Sequence, residues 1–201
     1  MWAKTAIGRM KKLFQIAKAA FGSQPFSPVV NLRPVFLVFP VTYRCNLRCS
    51  SCFCPEQAAE VGELDLAQIE NCMSYLSQQK QYSIKIVNLT GGEPFLRDDL
   101  VSVVGLLKDF GAEQIGISSN GLLADRTVSG FEELLQEHPE IAWSIQLSVD
   151  GPESVHNFIR GNANSFEEVL RASKLLLEMR QCYDFGLSTN LTITRDNVSS
   201  V

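Results

Sequence analysis

Five short apolar runs punctuate this chain, and a segment of helical periodicity follows each of the first four. The runs are Val35–Phe39, Ile84–Leu89, Gln114–Ser118, Ile141–Val149 and Phe185–Thr192. This alternation predicts an α/β fold of about five βα units, because parallel strands need long crossovers and helices supply them. Val35–Phe39 is unbroken apolar, aromatic and β-branched sequence, which predicts a strand buried on both faces. The polar motifs described below all fall at the C-terminal ends of the runs. Catalytic loops gather at that end in open doubly wound sheets and in barrels alike, so the pattern by itself leaves both architectures open.

The helical segments carry their own signals. Asp65 is placed to cap a first helix with Leu66, Ile69, Met73 and Leu76 on one stripe. Asp98 or Asp99 opens a second through Leu100, Val103, Val104 and Leu107, and Gly111 stops it. A third covers roughly Val128 to Glu137. Ser165 and Glu168 have the spacing of a capping box for a fourth, which bears Phe166, Val169, Leu170, Leu176 and Leu177.

The first polar stretch holds Cys45, Cys49 and Cys52 at C-x3-C-x2-C spacing. Three thiolates on so short a loop converge on one point, which suits a cubane iron–sulfur cluster. A cubane has four irons, so three cysteines leave one open. An open position is what separates a catalytic metal site from a structural one. Bacterial ferredoxins follow three cysteines with Cys-Pro, as Cys54-Pro55 does here, but their spacings differ. Cys54 stands two residues beyond Cys52 and is expected to face away from the cluster. A zinc knuckle would need a second cysteine pair, and the sequence has none. Cys72 and Cys182 stand alone and are expected to be buried thiols.

The second stretch is Thr90-Gly91-Gly92-Glu93-Pro94. Adjacent glycines let backbone approach a ligand with no side chain in the way, and Pro94 fixes the exit. The other two are Ser118-Ser119-Asn120-Gly121 and Ser148-Val149-Asp150-Gly151-Pro152, the latter followed by His156 and Arg160-Gly161. His138, beside Pro139, reads as a surface residue.

Taken together, the cysteine spacing and the Gly-Gly-Glu-Pro motif resemble the radical S-adenosylmethionine (SAM) superfamily, over about Val35 to Thr192. The Ser148-to-Gly161 stretch resembles the branch that includes sulfatase-maturing and peptide-modifying (SPASM-like) members. The resemblance implies a partial (β/α)6 TIM-like barrel. The tail after Thr192 is too short for a further helix and strand, so residues 35–201 are expected to be a radical SAM core lacking its C-terminal part.

The resemblance also implies a chemistry. Cys45, Cys49 and Cys52 would hold a [4Fe–4S] cluster whose fourth iron is chelated by the amino and carboxylate groups of SAM. Reductive cleavage would yield a 5′-deoxyadenosyl radical that abstracts hydrogen from a substrate. Gly91, Gly92, Glu93 and Pro94 would hold the SAM amino group, Ser119 and Asn120 would lie beside the cofactor, and Ser148, Asp150 and Arg160 would serve its carboxylate side. Family members often carry an aromatic residue just before the third cysteine; Ser51 stands there, and Phe53 is the candidate to replace it near the adenine. A flavodoxin or ferredoxin would supply the electron. The expected substrate is a peptide or protein side chain, with a lipid, sugar or small metabolite as the alternative. A non-catalytic iron–sulfur electron-transfer protein is the reading from another class.

Composition narrows the remaining choices. At 201 residues, with 45% hydrophobic and 20% charged side chains, the chain suits one globular domain. All acidic residues lie from Glu56 onward, while the stretch before it carries eight basic ones. That basic part is short and has no nucleic-acid motif, so no nucleic-acid partner is expected. Residues 4–21 read as a basic amphipathic helix and 22–34 as a linker, which sets residues 1–34 apart from the core. The helix is expected to pack on the domain rather than on a membrane surface. No apolar run reaches transmembrane length. A reducing, cytoplasmic compartment fits a labile cluster.

Overall fold

The computed structural model describes residues 36–52, 62–78 and 84–200. The expected N-terminal helix and linker, Phe53 and Cys54 lie outside them. In chain order the elements are β1 (Phe36–Thr42), α1 (Leu66–Gln78), β2 (Ile86–Gly91), a 3₁₀ turn (Pro94–Leu96), α2 (Leu100–Asp109) and β3 (Gln114–Ser119). They continue with α3 (Ala124–Glu137), β4 (Ala142–Ser148), α4 (Glu153–Arg160), α5 (Ser165–Met179) and β5 (Gly186–Asn190). The strands form one parallel sheet in the order β1-β2-β3-β4-β5. A doubly wound sheet reverses its strand order at a switch point. This order never reverses, so right-handed crossovers keep the helices on one face, as in part of a barrel.

The two faces of the sheet differ chemically. Val87, Leu89, Ile115, Ile117, Trp143, Ile145 and Leu147 are buried in the core with Val103, Leu107, Phe131, Leu134 and Leu176 from the helices. Phe131 stands edge-on to Trp143 and Phe185, with ring centroids 5.9 and 5.0 Å away. The alternate residues make an inner face that is mostly polar. One paired row reads Val38, Asn88, Gly116, Ser144 and Gly186, and a second reads Ser118, Gln146 and Ser188.

This alternation corrects the expectation for the first strand. Phe36 and Val38 are 55% and 52% exposed, so β1 is buried on one face only. Pro40 inside β1 is tolerated because β1 is an edge strand, and the register shifts between Pro40 and Thr42.

Several local expectations also change. α4 is an additional helix inside the stretch between β4 and α5. Asp65 and Gln68 form the reciprocal cap of α1, with backbone N–H to side-chain oxygen distances of 2.8 and 3.0 Å. Ser165 and Glu168 do not form theirs. Asn157 from α4 accepts from Ser165 Oγ at 3.0 Å and from Phe166 N at 2.8 Å, while Glu168 pairs with Arg171 at 3.0 Å. His138 is buried: its Nε2 lies 3.2 Å from Val101 O, and its own carbonyl accepts from Trp143 Nε1. Cys72 and Cys182 are exposed instead of buried.

Candidate active site

β1 delivers the cysteine loop to the C-terminal edge of the sheet, and β2 holds it there through backbone. Gly92 N donates to Thr42 O and Glu93 N to Arg44 O, each at 2.8 Å. Here the glycines show their purpose. A Cβ on Gly91 would lie 2.1 Å from Thr42 O, and one on Gly92 would lie 2.1 Å from Arg44 O. Gly91 also has φ +128°, a conformation that side chains rarely adopt. The close approach that requires glycine is therefore to the cysteine loop itself. On its other side the loop is tied to α4 by Ser50 N donating to Ile159 O at 2.8 Å. Gly161, with φ +65°, ends α4 where a Cβ would meet Arg48 O at 3.2 Å.

Cys45, Cys49 and Cys52 all border one cleft of about 520 Å³. Its walls come from the strand ends: Thr90, Gly91, Gly92, Ser119, Asn120, Ser148, Asn190 and Thr192, with Arg160 from α4. Asn88, Ser118 and Gln146 carry the polar inner face into it. Cys45 and Cys49 are half-buried and Cys52 is exposed. Burial pushes the Cys45 and Cys49 thiols up; the Glu93, Cys49 and Cys52 charges add to this at Cys45, and the Arg160 cation opposes it at Cys49. A bound metal would reverse that preference, because thiolates ligate as anions.

The donor set fits a cluster. Asn120 Nδ2 reaches Cys45 Sγ at 3.8 Å and Arg160 Nη1 reaches Cys49 Sγ at 3.7 Å. Nitrogen donors aimed at sulfur are what a cluster's thiolates accept. Among the described residues no group of His, Cys, Asp or Glu is gathered tightly enough for a single metal ion. A cubane suits wider spacing, since each thiolate binds a different iron.

Other sequence-predicted residues take supporting positions. Glu93 is buried and does not border the cleft; its carboxylate accepts from Ser119 Oγ at 2.9 Å and from Asn120 N at 2.8 Å. Burial pushes its pKa up to about 7 against the pull of those donors. Pro94 is buried at the head of the 3₁₀ turn. Asp150 is buried behind the cleft, and its Oδ2 lies 2.7 Å from Arg160 Nε. Its own N–H donates to His156 Nδ1 at 3.1 Å, which fixes Nδ1 as an acceptor. Burial, aided by the Arg160 cation, lowers the His156 pKa. Asn120 also donates to Asn46 Oδ1 at 2.9 Å, which links β3 to the cysteine loop.

Residues 39–192 match the radical SAM superfamily. The chain belongs to that superfamily. It is 27% identical over 172 residues to Fe-coproporphyrin III synthase of Methanosarcina barkeri, covering 84% of this chain and 39% of that protein. It is 28% identical over 179 residues to mycofactocin maturase MftC of Mycobacterium tuberculosis, covering 84% and 40% respectively. Among solved structures, native anSMEcpe with bound AdoMet and a Cp18Cys peptide superposes with a TM-score of 0.54 at 21% identity, covering 76% of this chain and 41% of that one. The chain thus spans about two fifths of the length of these relatives. The radical SAM core accounts for the parallel sheet and its strand order. Asn88, Gln146, Asn190, Thr192 and Asn197 were absent from the sequence-predicted site. The period-two alternation of polar residues in β2 and β4 was the available signal for the first two.

Proposed function

We propose that this chain is the core of a radical SAM enzyme. The observation that carries the reading is the convergence of three thiols from one loop on a cleft built by the strand ends, with nitrogen donors on two of the sulfurs. Cys45, Cys49 and Cys52 would hold a [4Fe–4S] cluster, whose open position would leave room for SAM in the cleft they border. When bound, the reduced cluster and SAM supply a 5′-deoxyadenosyl radical able to abstract hydrogen.

The chain's own residues bind, orient and exclude water. The Gly91 and Gly92 backbone borders the cleft beside the cysteine loop, where carbonyls can accept from the SAM amino group. Ser148, Ser119 and Asn120 offer uncharged hydrogen-bonding groups along the same wall. Glu93 and Asp150 act from behind, by holding Asn120 and Arg160. An aromatic ring for the adenine is assigned to Phe53 on the sequence resemblance alone.

A peptide or protein side chain is the favoured substrate. The Ser148-to-Gly161 motif and the likeness to a maturase support it. The nearly equal likeness to a porphyrin synthase supports a small metabolite as the second reading. A flavodoxin or ferredoxin in a reducing cytoplasm is the electron source proposed; no described helix is long and apolar enough to cross a membrane.

Anaerobic reconstitution with iron and sulfide tests the reading. The expected result is a cluster visible by absorbance and EPR, and 5′-deoxyadenosine formed from SAM on reduction. Loss of iron binding in Cys45→Ala, Cys49→Ala and Cys52→Ala, with retention in Cys54→Ala, is expected. Retention of the cluster without SAM cleavage would favour an electron-transfer protein.

A further inference from the structure

The side of the cleft next to Cys49 contains more machinery than ligand binding requires. Arg160 is 13% exposed in its side chain and Asp150 only 1%, and the pair closes at 2.7 Å. The arginine's Nη1 then reaches Cys49 Sγ at 3.7 Å. Asp150 is in turn fixed from the end of the chain. Thr192 N donates to Asp150 Oδ1 at 3.3 Å, and Asn197 Nδ2 donates to Asp150 O at 2.9 Å. Asn197 is fully buried although it sits in a short run of turns after β5. Its Nδ2 also donates to Thr192 O at 2.8 Å, and its Oδ1 accepts from Thr194 N at 2.7 Å.

A buried asparagine with its amide so fully engaged is a lock, because each group left unpaired there would be costly. What it locks is the strand end and loop that carry Asp150. We propose that Asn197, Asp150 and Arg160 form a positioning relay that holds a cationic N–H donor on the sulfur of Cys49 and so raises the reduction potential of the cluster. The inference rests on the proposed cluster assignment. Its physical basis is general: the reduced cluster carries one more negative charge, and a nearby cation with an N–H···S hydrogen bond stabilises that state over the oxidised one. On the Cys45 side the corresponding donor is the neutral Asn120. The relay therefore makes the two ligands electronically unequal. It also gives Arg160 a role in addition to the carboxylate contact that the sequence resemblance assigns it, since Nε faces Asp150 and Nη1 faces Cys49.

The test is the reduction potential of the reconstituted full chain, titrated without SAM and followed by absorbance and EPR. Arg160→Gln is expected to shift the potential to more negative values. Asn197→Ala, which leaves every cluster ligand and Arg160 in place, is expected to shift it in the same direction by less. Arg171→Gln, on an exposed arginine paired with Asp125 and Glu168, serves as the control and should leave it unchanged. If Arg160→Gln loses iron, the Asn197→Ala shift still decides the matter. An unchanged potential in both variants, with weakened SAM binding in Arg160→Gln, would overturn the relay and return Arg160 to the SAM carboxylate. Absence of a cluster in the wild-type chain would instead overturn the assignment on which the relay rests.

Discussion

The two sides of the cysteine loop are held by different physics. On the Cys45 side the loop is fastened by backbone, through two 2.8 Å hydrogen bonds to the Gly92 and Glu93 N–H groups. Its polar partners there, Asn46 and Asn120, are neutral. On the Cys49 side the loop meets α4, and the residues behind it form a buried ion pair with a buried histidine. Backbone fastening tolerates no added volume. An ion pair tolerates volume better but requires both partners. The Cys45 side should therefore fail through steric change and the Cys49 side through unpaired charge.

The largest effect is expected at the glycines. A Cβ 2.1 Å from a carbonyl oxygen cannot be accommodated by rotating a side chain, so the cysteine loop must move. Gly92→Val should lower the melting temperature and the iron content together, at a cost of about 3 kcal/mol or more. Iron content kept at the wild-type level, with only SAM binding weakened, would return the glycines to a purely ligand-facing role.

Next comes the buried pair. Asp150→Ala leaves Arg160 mostly buried beside no carboxylate, and breaking such a pair costs about 3–5 kcal/mol. Removing both partners should cost less than removing Asp150 alone. Denaturant unfolding of Asp150→Ala, Arg160→Met and the double variant checks this. Additive losses would mean that the pair is not a coupled unit.

Glu93 gives the Cys45 side its pH dependence. Its folded pKa, raised to about 7 from the ordinary 4.5, means that the native state holds a proton that the unfolded chain releases between those values. Its contribution to stability is thus fully present below about pH 4.5 and declines as pH rises to about 7. Glu93→Gln, a mimic of the protonated form, should flatten that part of the profile. Melting temperatures from pH 5 to 8 for both proteins provide the measurement; parallel profiles would remove Glu93 as the source.

These contrasts separate what could be read in the sequence from what could not. The strand rhythm, the three cysteines and the motifs at the strand ends are local signals, and they were legible. The expectation that Val35–Phe39 is buried on both faces fails because an unbroken apolar run carries no sign of which face is open, whereas in β2 and β4 Asn88, Ser144 and Gln146 alternate with core residues. The glycine pair reads as a close approach to a ligand; its second close approach, to the Thr42 and Arg44 carbonyls, arises only through strand pairing and leaves no local signal. Asn197 gave no local signal at all. Its partners Asp150 and Thr192 come from two neighbouring strand ends.

The smallest expected effect concerns how α4 is joined to α5. The spacing Ser165-x-x-Glu168 has the form of a capping box, yet Asn157 Oδ1 receives the Ser165 hydroxyl and the Phe166 N–H, and Asn157 Nδ2 donates to Ala163 O at 2.6 Å. Asn157 thus caps α5 from the helix that also carries His156 and Arg160. Its replacement by alanine should cost about 1 kcal/mol, as loss of a cap does. Glu168→Ala removes only an exposed pair with Arg171, which keeps Asp125 as a partner, and should cost at most a few tenths of a kcal/mol. Because α4 leads into Arg160, Asn157→Ala should also loosen the Cys49 side and leave the Cys45 side untouched. Hydrogen exchange can resolve this: faster exchange at Ser50, whose N–H is bound to Ile159 O, with unchanged protection at Gly92 and Glu93. Equal costs for the two alanine variants would restore the capping box and uncouple α5 from the site.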